Sequence, residues 1–435
     1  MKFLRNLVDK KRALYHAPDS KFHKIWPLFD AMETFLFAPG VRTPGKGPHV
    51  RDYIDVKRMM TMVIYAMVPC LLFSIYNTGY QHFLALAGMG DGSQAYVVGW
   101  LQSLLMGSDY APVISAPTTW DICLFGLQQM GPIIFVSYFV GLNIEGLFAV
   151  IRKEEVSEGY LVTGMLVALV VPASIPLWQL AVAVAFSVVL AKEIFGGTGM
   201  NIFNPALMVR AFLFFGFAGQ ISGSKVWVAG NGAQGLIDGY SGATPLAAAA
   251  NARLTQANLD PTGTVESAQN AIVDVQGNVL SWWDLFWGWC PGSAGETSAF
   301  CCLLGAALLV FTGIASWRVM VGGVIGLVLT ALLMNSQYGH LDGLHSLPPH
   351  FHLVMGGFAF GIVFMATDPV SSPETQTGKW IYGLMIGFLT VVVRAVNPAY
   401  PEGAMLAILL LNAFAPAIDH FVLAANIRRR KSRHG

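Results

Sequence analysis

The chain has 435 residues, of which 54% are hydrophobic and only 12% charged, against about 25% charged in soluble domains. A mean hydropathy of +0.56 and long apolar runs exclude a single large soluble core. A formal net charge of +1 gives no footing for nucleic acid.

Residues 1–57 form a polar, basic arm, with Lys2, Arg5, Lys10, Lys11, Arg12, Lys21 and Lys24 near its start. No cleavable signal peptide is visible, because the first apolar span begins only near Met59. Within the arm, Phe29, Met32 and Leu36 recur at helical spacing, the pattern of a surface-lying or docking helix. Apolar spans are expected near 59–78, 130–150, 160–172, 177–192, 204–217, 298–317, 319–335, 353–367, 380–396 and 404–423. Tyr96 to Met106 is too short to cross and reads as a re-entrant or surface piece.

The basic residues fix an orientation. The arm is basic, the tail 424–435 carries Arg428, Arg429, Arg430, Lys431 and Arg433, and Arg152, Lys153, Lys192, Arg318 and Lys379 fall in alternate loops. The positive-inside rule puts both termini on the cytoplasmic side, with an even number of spans. The long loop 218–297, with only Lys225 and Arg253, then lies outside. Trp282, Trp283, Trp287 and Trp289 close it as an interfacial belt, and 247–280 reads as an insertion without chemistry of its own.

A repeat runs through the spans. Pro172-Ala-Ser-Ile-Pro176 precedes Asn204-Pro205-Ala206, and Pro369-Val-Ser-Ser-Pro373 precedes Asn397-Pro398-Ala399. Parity places the two proline pairs on opposite sides, the mark of inverted repeats. The expected fold is an all-α polytopic membrane protein of about ten transmembrane helices, in inverted five-helix units over 58–217 and 298–423.

Three stretches carry candidate chemistry. In Asp238-Gly239-Tyr240-Ser241-Gly242-Ala243-Thr244-Pro245-Leu246, glycines allow sharp turns and close ligand approach, beside two hydroxyls and a carboxylate. The turn Gly196-Gly197-Thr198-Gly199 leads to Asn201 and Asn204, whose amides offer donors and acceptors at a helix start. In the second span, Gly141 and Glu145 lie one turn apart on one helix face; a flat headgroup against bare backbone and helix–helix packing are both compatible with that glycine. A charge at mid-bilayer costs ~2.5–3.5 kcal/mol by insertion scales, which singles out Glu145, Asp368 and Asp419, with Arg210 and Arg394 as possible ion-pair partners. Five cysteines without a C-x-x-C spacing argue against an iron–sulfur or zinc site. His340, His345, His350 and His352 read as interfacial or solvent-exposed, so no metal site is expected.

Paired Asn-Pro-Ala sequences also occur in aquaporins, so a non-redox channel or carrier is one alternative. Ten spans, the continuation Tyr400-Pro401-Glu402-Gly403 and the 238–246 loop separate the chain from that class. On His49-Val-Arg-Asp52, Asp55-Val-Lys57-Arg58, Gly196 to Gly199, Asn204 to Ala206, Asp238 to Thr244, Ala366-Thr-Asp-Pro-Val370 and Asn397 to Gly403, nearly the whole chain resembles the B subunits of sodium-translocating NADH:quinone reductases (Nqr). The D subunits of the Rnf complex share the 238–246 motif and the repeat but are less similar at the long basic arm.

The resemblance implies electron transfer from NADH to ubiquinone coupled to outward movement of sodium. It implies FMN joined by a phosphoester to Thr244, attached by a flavin transferase with Asp238, Ser241 and Gly242 serving the attachment. It further implies a non-covalent riboflavin at Asn201 and Asn204, ubiquinone at Gly141 and Glu145, and a sodium-uptake role for Asp419. Leu142 stands where the family often has a second glycine. The implied setting is a six-subunit complex, with the A, C, D, E and F subunits as partners, in the lipid of a bacterial inner membrane.

Overall fold

The computed structural model describes residues 56–88, 99–107, 116–153, 159–223, 227–228, 242–251, 268–274, 276–339, 343–397 and 402–434, with isolated positions at 11, 12, 15, 20, 26, 29 and 114. Most of the basic arm, the motif at 49–55, and Asp238 and Ser241 lie outside the described residues. So do His340 and the Pro398-Ala399 of the second Asn-Pro-Ala.

Nine of the ten expected spans each correspond to a helix of at least 11 residues, whereas 353–367 is broken at Met355-Gly356-Gly357 and is helical again only over 358–365. The helices are α1 (Val56–Gly88), α2 (Thr119–Arg152), α3 (Tyr160–Val170), α4 (Leu177–Ser187), α5 (Pro205–Gly216), α6 (Ala299–Phe311), α7 (Trp317–Tyr338), α8 (Phe358–Phe360), α9 (Gln376–Val396) and α10 (Ala404–His434). A π-helical turn, Val188–Lys192, extends α4, and another, Gly361–Met365, extends α8. Among the described residues, six helices are long and apolar enough to cross a membrane, while α3, α5 and α6 are shorter. The short ones end where the sequence breaks them. Pro172 to Pro176 follows α3, and the Met355-Gly356-Gly357 turn separates α8 from the short helix Pro349–Val354. Backbone ends at membrane depth are tolerated there because protein, not lipid, surrounds them; Val167, Leu169 and Phe360 are fully buried.

Local chemistry sets the starts. Thr118 and Asp121 form a capping box on α2, with Asp121 N donating to Thr118 Oγ1 at 3.3 Å and Thr118 N to Asp121 Oδ2 at 3.0 Å. That box begins α2 well before its expected start near 130. At the other end of the chain, α10 continues without a break through the basic tail to His434.

Two helix packings recur in both halves. In the first half, α2 lies on α4 and α4 on α5; in the second, α7 lies on α9 and α9 on α10. The α7–α9 seam is built from small residues, so the backbones nearly touch. A Cβ on Gly326 would stand 2.2 Å from Leu384 O, and one on Gly387 2.2 Å from Gly323 O. The corresponding helices of the halves run antiparallel to each other. On α1 and α6, Cys70 Sγ meets Cys302 Sγ at 4.0 Å, while Asn77 Nδ2, further along α1, donates to Thr297 Oγ1 before the start of α6 at 3.4 Å. On α5 and α10, Asn412, with its amide turned to donate to Tyr382 and Ile408, accepts from Asn204 N at 3.2 Å. Arg210, further along α5, pairs with Glu402 just ahead of α10. Opposite running of α1 against α6, and of α5 against α10, is the geometry inverted repeats produce.

Candidate functional site

Thr244 is buried at the head of a helix over 245–251. Its Oγ1 accepts from Ala247 N at 3.3 Å and its N donates to Gly223 O at 2.9 Å. Threonine therefore caps this turn, with Pro245 at the first helical position, where its missing N–H costs nothing. Gly242 has φ +50°, a conformation glycine adopts without strain. A Cβ on Gly223 would stand 3.0 Å from Thr244 Oγ1 and 3.9 Å from Glu402 Oε1, so the hydroxyl and that carboxylate face one space. The space is a cavity whose walls include Thr244, Cys290, Ser293, Glu296, Gly356 and Glu402.

Arg210 anchors the cavity. It donates to Glu296 Oε1 at 2.6 Å, to Val170 O at 2.9 Å, to Ser293 Oγ at 3.3 Å and to Glu402 Oε2. All three charged side chains are less than a tenth exposed. Two carboxylates thus share one guanidinium. Burial pushes Glu296 up, against the pull of Arg210 and with Glu402 adding to the rise, to about 7. Burial likewise pushes the Cys290 thiol up to about 12. Arg394, by contrast, holds backbone, donating to His352 O and Met355 O at 2.8 Å each and to Glu402 O at 3.3 Å. It pins the turn before α8, where Gly356 and Gly357 have φ +65° and +67°. His352 is buried against Arg394 rather than exposed, because its helix turns inward to meet that guanidinium.

A second cleft lies between α1, α3, α6 and the turns flanking α5 and α8. Its walls are apolar with a few polar groups, the composition of small-molecule sites. Those groups include Thr163, Lys192, Asn201, Asn204 and Asp368. Asn204 caps α5 through Oδ1, which accepts from Ala206 N at 2.9 Å and Leu207 N at 3.4 Å. Asn201 Nδ2 donates to Phe203 O at 3.1 Å. The pair therefore offers one amide donor, from Asn204, and one acceptor, from Asn201. The glycine turn is obligatory here: Gly196, Gly197 and Gly199 have φ +119°, +95° and +91°. Asp368 turns inward on itself, accepting from Ser371 Oγ at 2.8 Å and Val370 N at 3.3 Å.

Below this cleft, Lys192 Nζ is ion-paired with Glu145, both buried, and Thr198 Oγ1 reaches Glu145 Oε1 at 3.5 Å. Beside them Arg152 Nη1 donates to Glu193 Oε2 at 2.9 Å. A Cβ on Gly141 would meet Tyr160 Cζ at 1.8 Å, so the bare face of this glycine is filled by a ring, as helix packing requires. Asp419 stands apart from both cavities. It accepts from Thr375 Oγ1 at 2.5 Å, Glu374 N at 2.7 Å and Thr375 N at 3.1 Å, fixing the start of α9 rather than meeting the tail arginines.

The short helix α3 joins the two cavities. At its C-terminal end Gly295 N donates to Leu169 O at 2.7 Å, and Val170 O accepts from Arg210. At its N-terminal end Gly159 abuts Thr198, and Tyr160 covers Gly141. Its 11 residues set the ends about 16 Å apart.

A family profile described as "NQR2, RnfD, RnfE family" matches residues 44–428. The chain belongs to this family. It is similar, at 45% identity over 430 residues covering 99% of this chain and 96% of the other, to the B subunit of the Na(+)-translocating NADH-quinone reductase of Chromohalobacter salexigens. It is 43% identical over 435 residues to the protein of that name from Pseudomonas aeruginosa, with 99% of this chain and all of the other covered. The Yersinia pestis protein of that name is 42% identical over 438 residues, with 99% of each chain covered.

Within this NQR2, RnfD, RnfE family member, sequence reasoning missed Glu296, Glu402 and Lys192 as parts of the sites. Glu402 was in view, inside the Asn397 to Gly403 motif, and its burial could have been suspected from the mid-membrane cost of a carboxylate. Glu296 follows the tryptophan run in a stretch that reads as loop, and nothing in its neighbours signals a return into the core.

Proposed function

We propose that the chain is the membrane component of a sodium-pumping NADH:quinone reductase, carrying a flavin joined covalently through Thr244. The observation that carries this reading is Thr244 itself, a buried hydroxyl opening on a cavity, in a stretch that resembles a flavin-acceptor motif. Glycines at 223, 356 and 357 keep that cavity open, since a Cβ at any of them would meet Thr244, Leu246 or Glu296 at 3.0, 2.4 and 2.5 Å respectively. Asp238, Ser241 and Gly242 are assigned to the attachment by a flavin transferase.

The cleft at the other end of α3 suits a non-covalent riboflavin. The donor of Asn204 and the acceptor of Asn201 complement the alternating carbonyls and N–H at the edge of an isoalloxazine ring. When bound, the flavins supply the one- and two-electron chemistry linking NADH-derived electrons to ubiquinone. The residues of the chain would hold them at opposite ends of α3, away from water and beside charged side chains. Quinone is assigned to the inner end of α2, at Glu145; approach to Gly141 requires Tyr160 to swing aside. Asp419 is assigned to sodium entry at the inner mouth, acting through the start of α9 that it caps.

The energetics suffice. For a two-electron reaction each 100 mV of drop yields ~4.6 kcal/mol, while moving one charge against 100 mV costs ~2.3 kcal/mol. The proposed setting is a six-subunit complex, shared with the A, C, D, E and F subunits, in a bacterial inner membrane, both termini cytoplasmic. The test is NADH-driven sodium uptake by the purified complex in proteoliposomes. Uptake that persists with a protonophore supports primary sodium pumping; uptake abolished by it contradicts this reading.

A further inference from the structure

Asn412 interrupts the apolar run Leu409-Leu410-Leu411-Asn412-Ala413-Phe414 on α10. An amide away from water is costly unless its donors and acceptor are paired, and Asn412 is only 1% exposed. Its partners come from both halves of the chain. Nδ2 donates to Tyr382 Oη on α9 at 2.6 Å and to Ile408 O on α10 at 3.1 Å, while Oδ1 accepts from Asn204 N at 3.2 Å. The opposite orientation would set the amide against the N–H of Asn204 and the oxygen against Ile408 O. Tyr382 is fully buried and fixes the amide from behind.

The residue that Asn412 holds is the one that faces the second cleft. Asn204 Oδ1 is occupied by Ala206 N and Leu207 N, so the planar amide leaves Nδ2 as the group offered to the cleft. Ser187 Oγ, at the end of α4, donates to Pro205 O at 2.5 Å. The start of α5 is therefore gripped from the first half by Ser187 and from the second by Asn412. Among the described residues, neither Asn412 nor Tyr382 lines this cleft or the Thr244 cavity. Their influence on a ligand in the cleft runs through Asn204.

We infer that Asn412, backed by Tyr382, is a positioning residue for the non-covalent flavin, fixing the Asn204 amide donor against the ring and so setting its redox potential. Hydrogen bonds to the ring are one lever by which a protein tunes a flavin. A donor held at a ring edge favours the electron-richer state, because that edge gains negative charge on reduction. The grip must be tight, since a donor displaced by about 0.5 Å loses much of its effect. Through this chain of contacts the second half of the protein acts on a cofactor bound to the first. The inference rests on riboflavin lying against Asn201 and Asn204.

The test uses the intact purified complex, with riboflavin identified by mass after extraction and its midpoint separated from that of the covalent flavin by spectropotentiometry. Asn412→Leu keeps the side-chain volume and should move the riboflavin midpoint to more negative potential. Binding of the reduced ring should weaken about two- to tenfold relative to the oxidised ring, the loss of one hydrogen bond. The covalent flavin should keep its midpoint. Tyr382→Phe removes one partner of the Asn412 amide and should give a smaller shift of the same sign; it decides alone if the leucine variant does not assemble. Asn204→Ser still caps α5 but carries no amide. It should shift the riboflavin midpoint by itself, and adding Asn412→Leu should move it no further, because both act through one donor. An unshifted riboflavin midpoint in Asn412→Leu and Tyr382→Phe overturns the inference. A shift shared by both flavins, or additive shifts in the double variant, does so as well, by marking a general loosening of the fold. Absence of riboflavin from the wild-type complex, or a midpoint that ignores Asn204→Ser, instead overturns the reading on which the inference stands.

Discussion

The ring of Tyr160 fills the face of Gly141 so closely that a Cβ there would stand 1.8 Å from Cζ. Tyr160 Oη also donates to Ser137 O at 3.0 Å, locking α3 to α2. Gly141→Ala should therefore destabilise the complex by about 1–3 kcal/mol through overpacking, read as a fall in Tm. Tyr160→Phe should lose about 1 kcal/mol with the hydrogen bond and alter the KM for quinone, while reduction of the flavins by NADH is unchanged. Unchanged quinone kinetics in that variant would remove quinone from this face.

The buried pair of Glu145 and Lys192 gives a second prediction. Removing one partner strands a charge in the interior, at a cost of about 3–5 kcal/mol, whereas replacing both with well-packed neutral groups is far milder. Glu145→Gln should thus lower thermal stability more than Glu145→Gln combined with Lys192→Met. Additive losses in the double variant would contradict the pairing.

Asp419 offers the start of α9 three acceptor contacts. Asp419→Ala should cost about 1–2 kcal/mol of stability and raise the sodium concentration for half-maximal turnover. Asp419→Asn, which keeps an oxygen for these donors, should recover most of both. If stability recovers in the asparagine variant while the sodium requirement stays high, the carboxylate meets sodium directly.

Much of the architecture was legible in the sequence because the bilayer imposes long apolar runs and proline pairs mark their breaks. Glu145 stood out because a carboxylate in an apolar span carries a physical cost that asks for a reason, whereas Thr244 and Asn204 stood out through motifs that resemble those of the family. The four-residue distance from Gly141 to Glu145 gave their shared helix, but not the ring of Tyr160, which arrives from the next helix. Asp419 illustrates the same limit: its partners at 374 and 375 are distant in sequence, and only packing of α10 on α9 brings them together. Glu296 stayed hidden because its segment re-enters the core without an apolar run to announce it.

The raised position of Glu296 has a consequence for stability. Its ordinary value is 4.5 and the folded value about 7, so between these values the folded protein holds a proton that the unfolded chain has released. Stability from this group is complete below about 4.5 and declines as pH rises through about 7. The complex should therefore show a Tm that falls across that window, and Glu296→Gln should flatten the fall. An equal slope in the variant would assign the dependence to other groups.

The most direct test of the account is whether Thr244 holds the flavin. The denatured chain, separated on a gel and examined by flavin fluorescence and peptide mass, should carry FMN on the peptide containing Thr244. Thr244→Val should abolish the fluorescent band while the folded chain still assembles, because the hydroxyl is the only atom of that side chain able to form the phosphoester. A fluorescent band that survives this substitution, or flavin mapped to another residue, would contradict the account.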